Sequence, residues 1–142
     1  MFVGYICFTH VLFFRFGGKS YDVVDSLNVW SSGMWISTAT GSTAAMKAAG
    51  GHVMDLDSAE LQYLIREHMI ERTDGSDQSE LPDDLNNGMI GMGEKLHVRW
   101  NSQRGKVYID GSHLSHNLEL GDEIMIDNKA PPLKLYTKRG IE

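Results

Sequence analysis

The chain has 142 residues, of which 42% are hydrophobic, and it carries a net charge of −6 and a single cysteine, Cys7. Its length fits one domain with a real core, and its negative charge argues against nonspecific binding to nucleic-acid phosphates. One cysteine excludes an intrachain disulfide and a cysteine-based zinc site, which favours a reducing compartment.

The first element is an apolar run from Phe2 to Phe14, interrupted by Thr9 and His10. It is shorter than the roughly 20 residues that a membrane helix needs. No basic residue precedes it, so it is a poor signal peptide. It is either a buried strand or a sequence foreign to the domain. We therefore keep residues 1–28 apart from the domain predicted over residues 29–142.

Two strands are predicted next. Residues 19–30 contain four apolar side chains with turn residues between them, and Met34–Ile36 form a short apolar run that leads into a polar loop. The most unusual stretch of the sequence directly follows the second of these strands.

That stretch is STATGSTAAMKAAGG, residues 37–51. Its alanines predict a helix over residues 42–49, capped by Ser42 and ended by Gly50 and Gly51. Free N–H groups at the start of such a helix suit ribose and phosphate oxygens, and small side chains let a flat ligand reach the backbone. The hydroxyl-bearing and small residues concerned are Thr38, Thr40, Gly41, Ser42, Thr43, Ala44 and Ala45.

Known phosphate-binding and nucleophile motifs are absent from this stretch: it is not a Walker A loop, a G-x-G-x-x-G turn or a G-x-S-x-G elbow. Two interpretations remain at this point. The stretch is either a nucleotide site or a capped, alanine-rich core helix with a polar lead-in.

The middle of the chain is harder to assign. Residues 58–72 have the apolar spacing of an amphipathic helix, although the same residues could form a strand of mixed burial. Residues 73–94 are acidic and rich in Gly, Asn, Asp and Pro, which predicts a long loop.

The last third is predicted to be β. Residues 95–100 and 106–110 alternate between apolar and polar side chains around the turn at residues 101–105, which predicts a hairpin. Two more strands are predicted at residues 121–127 and 131–138. Together they indicate an antiparallel sheet, as one layer of a sandwich.

The histidines give weak metal signals. His113 and His116 lie in a predicted turn with no third ligand nearby, so surface positions are favoured. His52, followed by Asp55 and Asp57, matches no liganding pattern and is predicted to belong to a polar turn.

A family resemblance emerges from the ordered motifs. SSGMWISTATGSTAAMKAAGG is similar to the signature of the NAD kinase family, and LQYLIRE, LHVRW, KVYIDG and LGDEIMIDNKAPPLKLY resemble later blocks of that family in the same order. The form T-A-T-G-S-T-A-A-M is most similar to the plant-type NADH kinase branch. The resemblance covers residues 29–136 and corresponds to the C-terminal domain only.

The resemblance implies a kinase that transfers the γ-phosphoryl group of ATP to the 2′-hydroxyl of the adenosine ribose of NAD or NADH, with Mg²⁺ as the divalent cation. The implied fold is mainly β with a short helix, an antiparallel β-sandwich without the family's N-terminal α/β domain. It also favours a short helix or turn followed by a strand over residues 58–72.

The resemblance further implies which residues bind NAD. Thr43 to Ala48 would line the nucleotide and Thr40 to Ser42 would shape the turn. Ser32 stands where many members have Asp, and Ala45 replaces the family's Tyr, as it does in the plant-type branch. The full predicted set is Ser32, Thr40, Gly41, Ser42, Thr43, Ala44, Ala45, Met46, Lys47 and Ala48.

The family's Gly-Gly-Asp-Gly motif, whose Asp is the expected general base, occurs nowhere in this sequence, and neither does its Asn-Glu or Asn-Asp pair. No catalytic residue is therefore predicted in this chain, and we expect little or no kinase activity from it alone. The alternative function is a non-catalytic β domain that binds a dinucleotide or docks on a full-length kinase.

The expected partners are NAD or NADH and ATP, with a homo-oligomer or a full-length kinase as protein partner and without nucleic acid or membrane. The cytoplasm is the default compartment because the C-terminus KRGIE carries no peroxisomal signal.

Overall fold

The computed structural model describes residues 3–7, 11–17, 22–68, 86–131 and 134. These residues form ten strands and two short, consecutive helical turns. The strands are β1 Val3–Cys7, β2 Val11–Gly17, β3 Asp22–Val29, β4 Gly33–Ser37, β5 Leu61–Arg66, β6 Asn87–Ile90, β7 Lys95–Trp100, β8 Arg104–Ile109, β9 Ser115–Glu119 and β10 Glu123–Asp127.

The strands form two antiparallel sheets that share one core. One sheet has six strands in the order β6-β5-β4-β1-β8-β9, and the other has four in the order β10-β7-β2-β3. The predicted fold class is confirmed, because both sheets send apolar side chains into the same core. Its buried members are Met34, Ile36, Leu61, Tyr63, Ile65, Ile90, Leu96, Val98, Trp100 and Leu118.

The N-terminal apolar run forms two strands, where a single strand was predicted. β1 pairs with β4 and β8 in the six-stranded sheet, and β2 pairs with β3 and β7 in the four-stranded sheet. The interruption at Thr9 and His10 thus falls between strands that belong to different layers.

The predicted hairpin between β7 and β8 is wrong. β7 pairs with β2 and β10, whereas β8 pairs with β1 and β9, so the connection at residues 101–103 crosses from one sheet to the other. Alternation of apolar residues identified both strands, and it identified the buried face of β7 correctly. It carries no information about which strand lies alongside, and two strands joined by a short connection can cover opposite sides of a core.

The hairpin that does form joins β8 to β9, a strand that the sequence did not predict. Tyr108 pairs with Ser115 and Arg104 with Glu119. The turn between them has positive φ angles at Asp110 (51°) and Gly111 (114°). His113 lies in this turn and His116 lies on β9, so both are at the surface as predicted.

The middle segment is a strand preceded by an irregular stretch. β5 confirms the expectation of a turn followed by a strand within residues 58–72, and the helix suggested by local spacing is wrong because the residues of β5 are buried from two sides. The predicted loop at residues 73–94 is wrong at its end, where β6 forms. Residues 73–85 and nearly all of the strand predicted at residues 131–138 lie outside the described residues.

The predicted helix over residues 42–49 is only partly present. Ala39–Gly41 form a 3₁₀ turn and Ser42–Met46 a π-type turn, and the backbone leaves helical geometry at Ala44 (φ −97°, ψ −123°). A regular turn follows, closed as predicted by the N–H groups of Gly50 and Gly51, which bond to Lys47 (3.1 Å) and Met46 (2.9 Å). Within the described ranges, no helix is long and apolar enough to cross a membrane.

Candidate functional site

The candidate site is the first part of the connection between β4 and β5, residues 38–52, which we call the hydroxyl loop. Six of the predicted NAD-binding residues lie on its outer surface, and three are buried beneath. The exposed residues are Thr40, Thr43, Ala44, Ala45, Lys47 and Ala48, and the buried ones are Gly41, Ser42 and Met46.

The exposed surface combines hydroxyls with uncovered backbone. Thr38 and Thr40 place their hydroxyl oxygens 3.1 Å apart. Beyond them, Ala44 and Ala45 expose the chain where the backbone kinks, with no large side chain to shield it. Lys47 adds an exposed positive charge. The surface can therefore offer hydroxyl groups, main-chain polar groups and a cation to a polar, anionic ligand.

Ser42 does not cap a helix, so that part of the sequence interpretation is wrong. Its hydroxyl donates to the main-chain oxygen of Ala39 (2.7 Å) and accepts the N–H of Met54 (2.9 Å). It also has no exposed surface. Ser42 thus fixes the inside of the loop, because buried main-chain groups need such partners.

The helix start that was expected to bind phosphate oxygens is also absent. The kink at Ala44 prevents the N–H groups of residues 42–45 from lining up along one axis, so the dipole argument does not apply to this short segment. What the loop presents instead is small exposed side chains on a firmly held backbone.

Ser32 lies apart from the other predicted residues. It precedes β4, whereas the hydroxyl loop follows it, and this five-residue strand spans about 16 Å. Its hydroxyl donates to the main-chain oxygen of Arg66 at the far end of β5 (3.4 Å). The structure therefore does not bring Ser32 together with the loop.

Gln62 is the main residue that the sequence interpretation missed. It lies on β5 with no exposed surface. Its amide oxygen accepts the N–H of His52 and its amide nitrogen donates to the oxygen of His52, both at 3.0 Å. The available signal was one amide in the otherwise apolar strand core LQYLI, because an amide buried there needs partners for both polar atoms.

Asn128 anchors the stretch that follows the hydroxyl loop. Its amide nitrogen donates to the oxygens of Ala59 (3.3 Å) and Gly91 (3.1 Å). It thus holds the approach to β5 against the turn after β6. Asn128 lies in the block LGDEIMIDNKAPPLKLY, but its role was not predicted.

The remaining candidate groups do not converge. Among the residues that the structure describes, no cluster of three His, Cys, Asp or Glu side chains could hold a metal ion. His52, at the end of the hydroxyl loop, is exposed, as are Asp55 and Asp57 just after it, in the polar turn that was predicted for them.

Comparison with known proteins gives the family. The chain is 42% identical over 109 residues to the probable NADH kinase of Oryza sativa subsp. japonica, a match that covers 77% of this chain. It is 40% identical over 116 residues to the NADH kinase of Arabidopsis thaliana, which covers 82% of it. The chain belongs to the NAD kinase family. The matches cover 31% and 34% of these relatives, so the chain spans about a third of their length.

Solved structures of NAD kinases share the fold. Yeast NADH kinase complexed with NADH superposes with a TM-score of 0.66 at 16% identity, covering 94% of this chain and 36% of that one. The NAD kinase of Archaeoglobus fulgidus in complex with ATP gives a TM-score of 0.57 at 17% identity, covering 87% and 43%. This coverage is consistent with the C-terminal domain of NAD kinases alone. No family model matches the chain.

Proposed function

We propose that this chain is the dinucleotide-holding part of an NAD(H) kinase, which phosphorylates the 2′-hydroxyl of the adenosine ribose of NAD or NADH with ATP to give NADP(H). The observation that carries the proposal is the exposed small-residue surface of the hydroxyl loop, held from beneath by buried polar contacts. Its support is the membership of the NAD kinase family and the names of the relatives, which are NADH kinases.

The loop acts by orientation. The hydroxyls of Thr40 and Thr43 hydrogen-bond the ligand, and Ala44 and Ala45 leave room for it against the backbone. Lys47 offers its ammonium group to the pyrophosphate. Phosphoryl transfer depends on holding the acceptor hydroxyl in line with the donor, so a rigid binding surface contributes directly to the rate.

We propose that the general base and the metal are not supplied by these 142 residues. The Gly-Gly-Asp-Gly motif is absent from the sequence. The described residues include no three-ligand cluster for Mg²⁺, so they do not fit a resident metal. Mg²⁺ is proposed to arrive with ATP.

Binding is tested by titrating the 142-residue chain with NADH in a calorimeter. We expect saturable binding that weakens by about tenfold or more in Ala45→Trp, a loss of about 1.4 kcal/mol, because the indole fills the space left for the ligand. Position 45 is exposed, so the melting temperature should not change.

Ala130→Trp is the matched control, since Ala130 is also exposed but lies outside the hydroxyl loop. It should bind NADH as the unsubstituted chain does. Equal affinity of Ala45→Trp and the unsubstituted chain would contradict the placement of the ligand. No saturation of the unsubstituted chain at millimolar NADH would reject dinucleotide binding and favour a docking domain.

Activity is tested by a coupled assay for NADP(H) with ATP, Mg²⁺ and either NAD or NADH. The 142 residues alone are expected to give no product, because the residue that takes the proton from the 2′-hydroxyl is missing from them. Product should appear when a polypeptide carrying a Gly-Gly-Asp-Gly motif from a plant NADH kinase is added. Turnover by the 142 residues alone would show that one of their own carboxylates acts as the base.

A further inference from the structure

We infer that Gln62 is a positioning residue for the dinucleotide surface: its side chain closes the hydroxyl loop and sets where Thr43–Ala45 stand. This inference rests on the proposed function. The residue contacts the loop from the sheet side and is fully buried, so it acts through the loop and cannot touch the ligand itself.

The side-chain amide of Gln62 bonds to the main chain of the loop as the main chain of a neighbouring strand would. Both of its amide atoms bond to the two main-chain polar groups of a single residue, His52, at 3.0 Å. This reciprocal pair reproduces the pattern of two main-chain groups across a β-bridge. Its nitrogen also lies 3.9 Å from the sulfur of Met89 on β6. Both polar atoms are thus satisfied in a place without water contact.

Gln62 holds both ends of the loop. Ser37, the last residue of β4 before the loop, is its main-chain partner in the sheet register. His52, the last residue of the loop, is its side-chain partner. The loop therefore leaves and returns at one position on β5, which is the geometry of a compact closed loop.

Main-chain hydrogen bonds within the loop link His52 to the exposed alanines. Gly51 lies next to His52 and donates its N–H to the oxygen of Met46, a fully buried residue that follows Ala45 directly. Ala49 in turn donates to the oxygen of Ala45 (3.0 Å). A shift at His52 therefore displaces Met46 and the exposed alanines with it.

The test compares Gln62→Met with the unsubstituted chain. Methionine has nearly the same length, so it fills the space but cannot bond to His52. Hydrogen exchange at the amides of residues 49–54 should accelerate by about tenfold, as expected when a buried hydrogen bond is removed. NADH affinity, measured by calorimetry well below the melting temperature, should fall by a similar factor.

Two controls separate positioning from loss of stability. Gln103→Met makes the same chemical change at an exposed position and should alter neither readout. Val98→Ala removes part of a buried side chain in the four-stranded sheet, away from the loop, and should lower the melting temperature. Its affinity for NADH should stay unchanged. A similar loss of affinity in Val98→Ala would show that general stability, not the loop, controls binding.

The outcomes also separate this inference from the proposed function. Unchanged exchange and unchanged affinity in Gln62→Met would overturn the inference. If the unsubstituted chain fails to bind NADH, the proposed function fails, and the exchange measurement still decides whether Gln62 holds the loop. If Gln62→Met does not fold, Gln62→Asn, which stays neutral but is one methylene too short to reach both main-chain groups of His52, provides the same comparison.

Discussion

Replacement of Trp100 by alanine is expected to destabilise the domain by about 3–5 kcal/mol. Trp100 is the largest fully buried side chain and stands at the end of β7. Its ring lies so close to Gly105 on β8 that a methyl group added to this glycine would overlap it. The indole thus fills the space between the sheets where the chain crosses from one to the other, and its removal leaves a cavity that the backbone cannot close.

The measurement is urea denaturation followed by far-ultraviolet circular dichroism. Arg99→Ala is the control, because the neighbouring residue is exposed and surface substitutions usually change stability by less than about 0.5 kcal/mol. A loss below about 1 kcal/mol for Trp100→Ala would mean that this region of the core is loosely packed, contrary to the structure.

Gly51→Ala is expected to cost about 2–3 kcal/mol and to weaken NADH binding. A methyl group at this position would stand 2.7 Å from Cγ and 2.9 Å from the main-chain oxygen of Met46, and it would overlap the amide oxygen of Gln62. The loop must move to admit it, which breaks the contact between Gln62 and His52. Both stability and affinity should therefore fall together.

Gly50 is the comparison, because it differs from Gly51 in having a positive φ angle but no close neighbours. It has φ +98°, but a methyl group there would meet nothing within 4 Å. Gly50→Ala should therefore cost only the backbone strain, about 1–2 kcal/mol, and leave NADH affinity unchanged. Stability is measured by denaturation and NADH affinity by calorimetry. Equal losses of affinity in the two variants would contradict the inference that the close packing of Gly51 matters for binding.

Much of the β structure could be predicted because its residues alternate. β7 buries Leu96, Val98 and Trp100 in alternation, and this pattern is visible in one sequence. β4 was visible as the short apolar run Met34–Ile36. β9 was missed because Leu118 is its only buried residue. β6 was missed because Asn87 and Gly88 favour turns, and only its pairing with β5 makes it a strand.

The predicted helix failed for a different reason. The alanines of residues 44–49 favour a helix in isolation, but the hydroxyl of Ser42 and the amide of Gln62 draw the main chain into tertiary contacts. The backbone is bent at Ala44, and no regular helix starts at Ser42. Gln62 is distant in sequence from the loop it holds, and no local pattern indicates which main-chain groups will face it.

The pairing of β1 and β2 with distant strands affects how the protein folds during its synthesis. β1 joins β4 to β8, and β2 joins β3 to β7, so both strands depend on partners that lie much later in the chain, at residues 95–109. Neither sheet can be completed while the ribosome is still working on the middle of the chain. Such long-range pairing slows folding and leaves apolar strands without their partners until β8 has been synthesised.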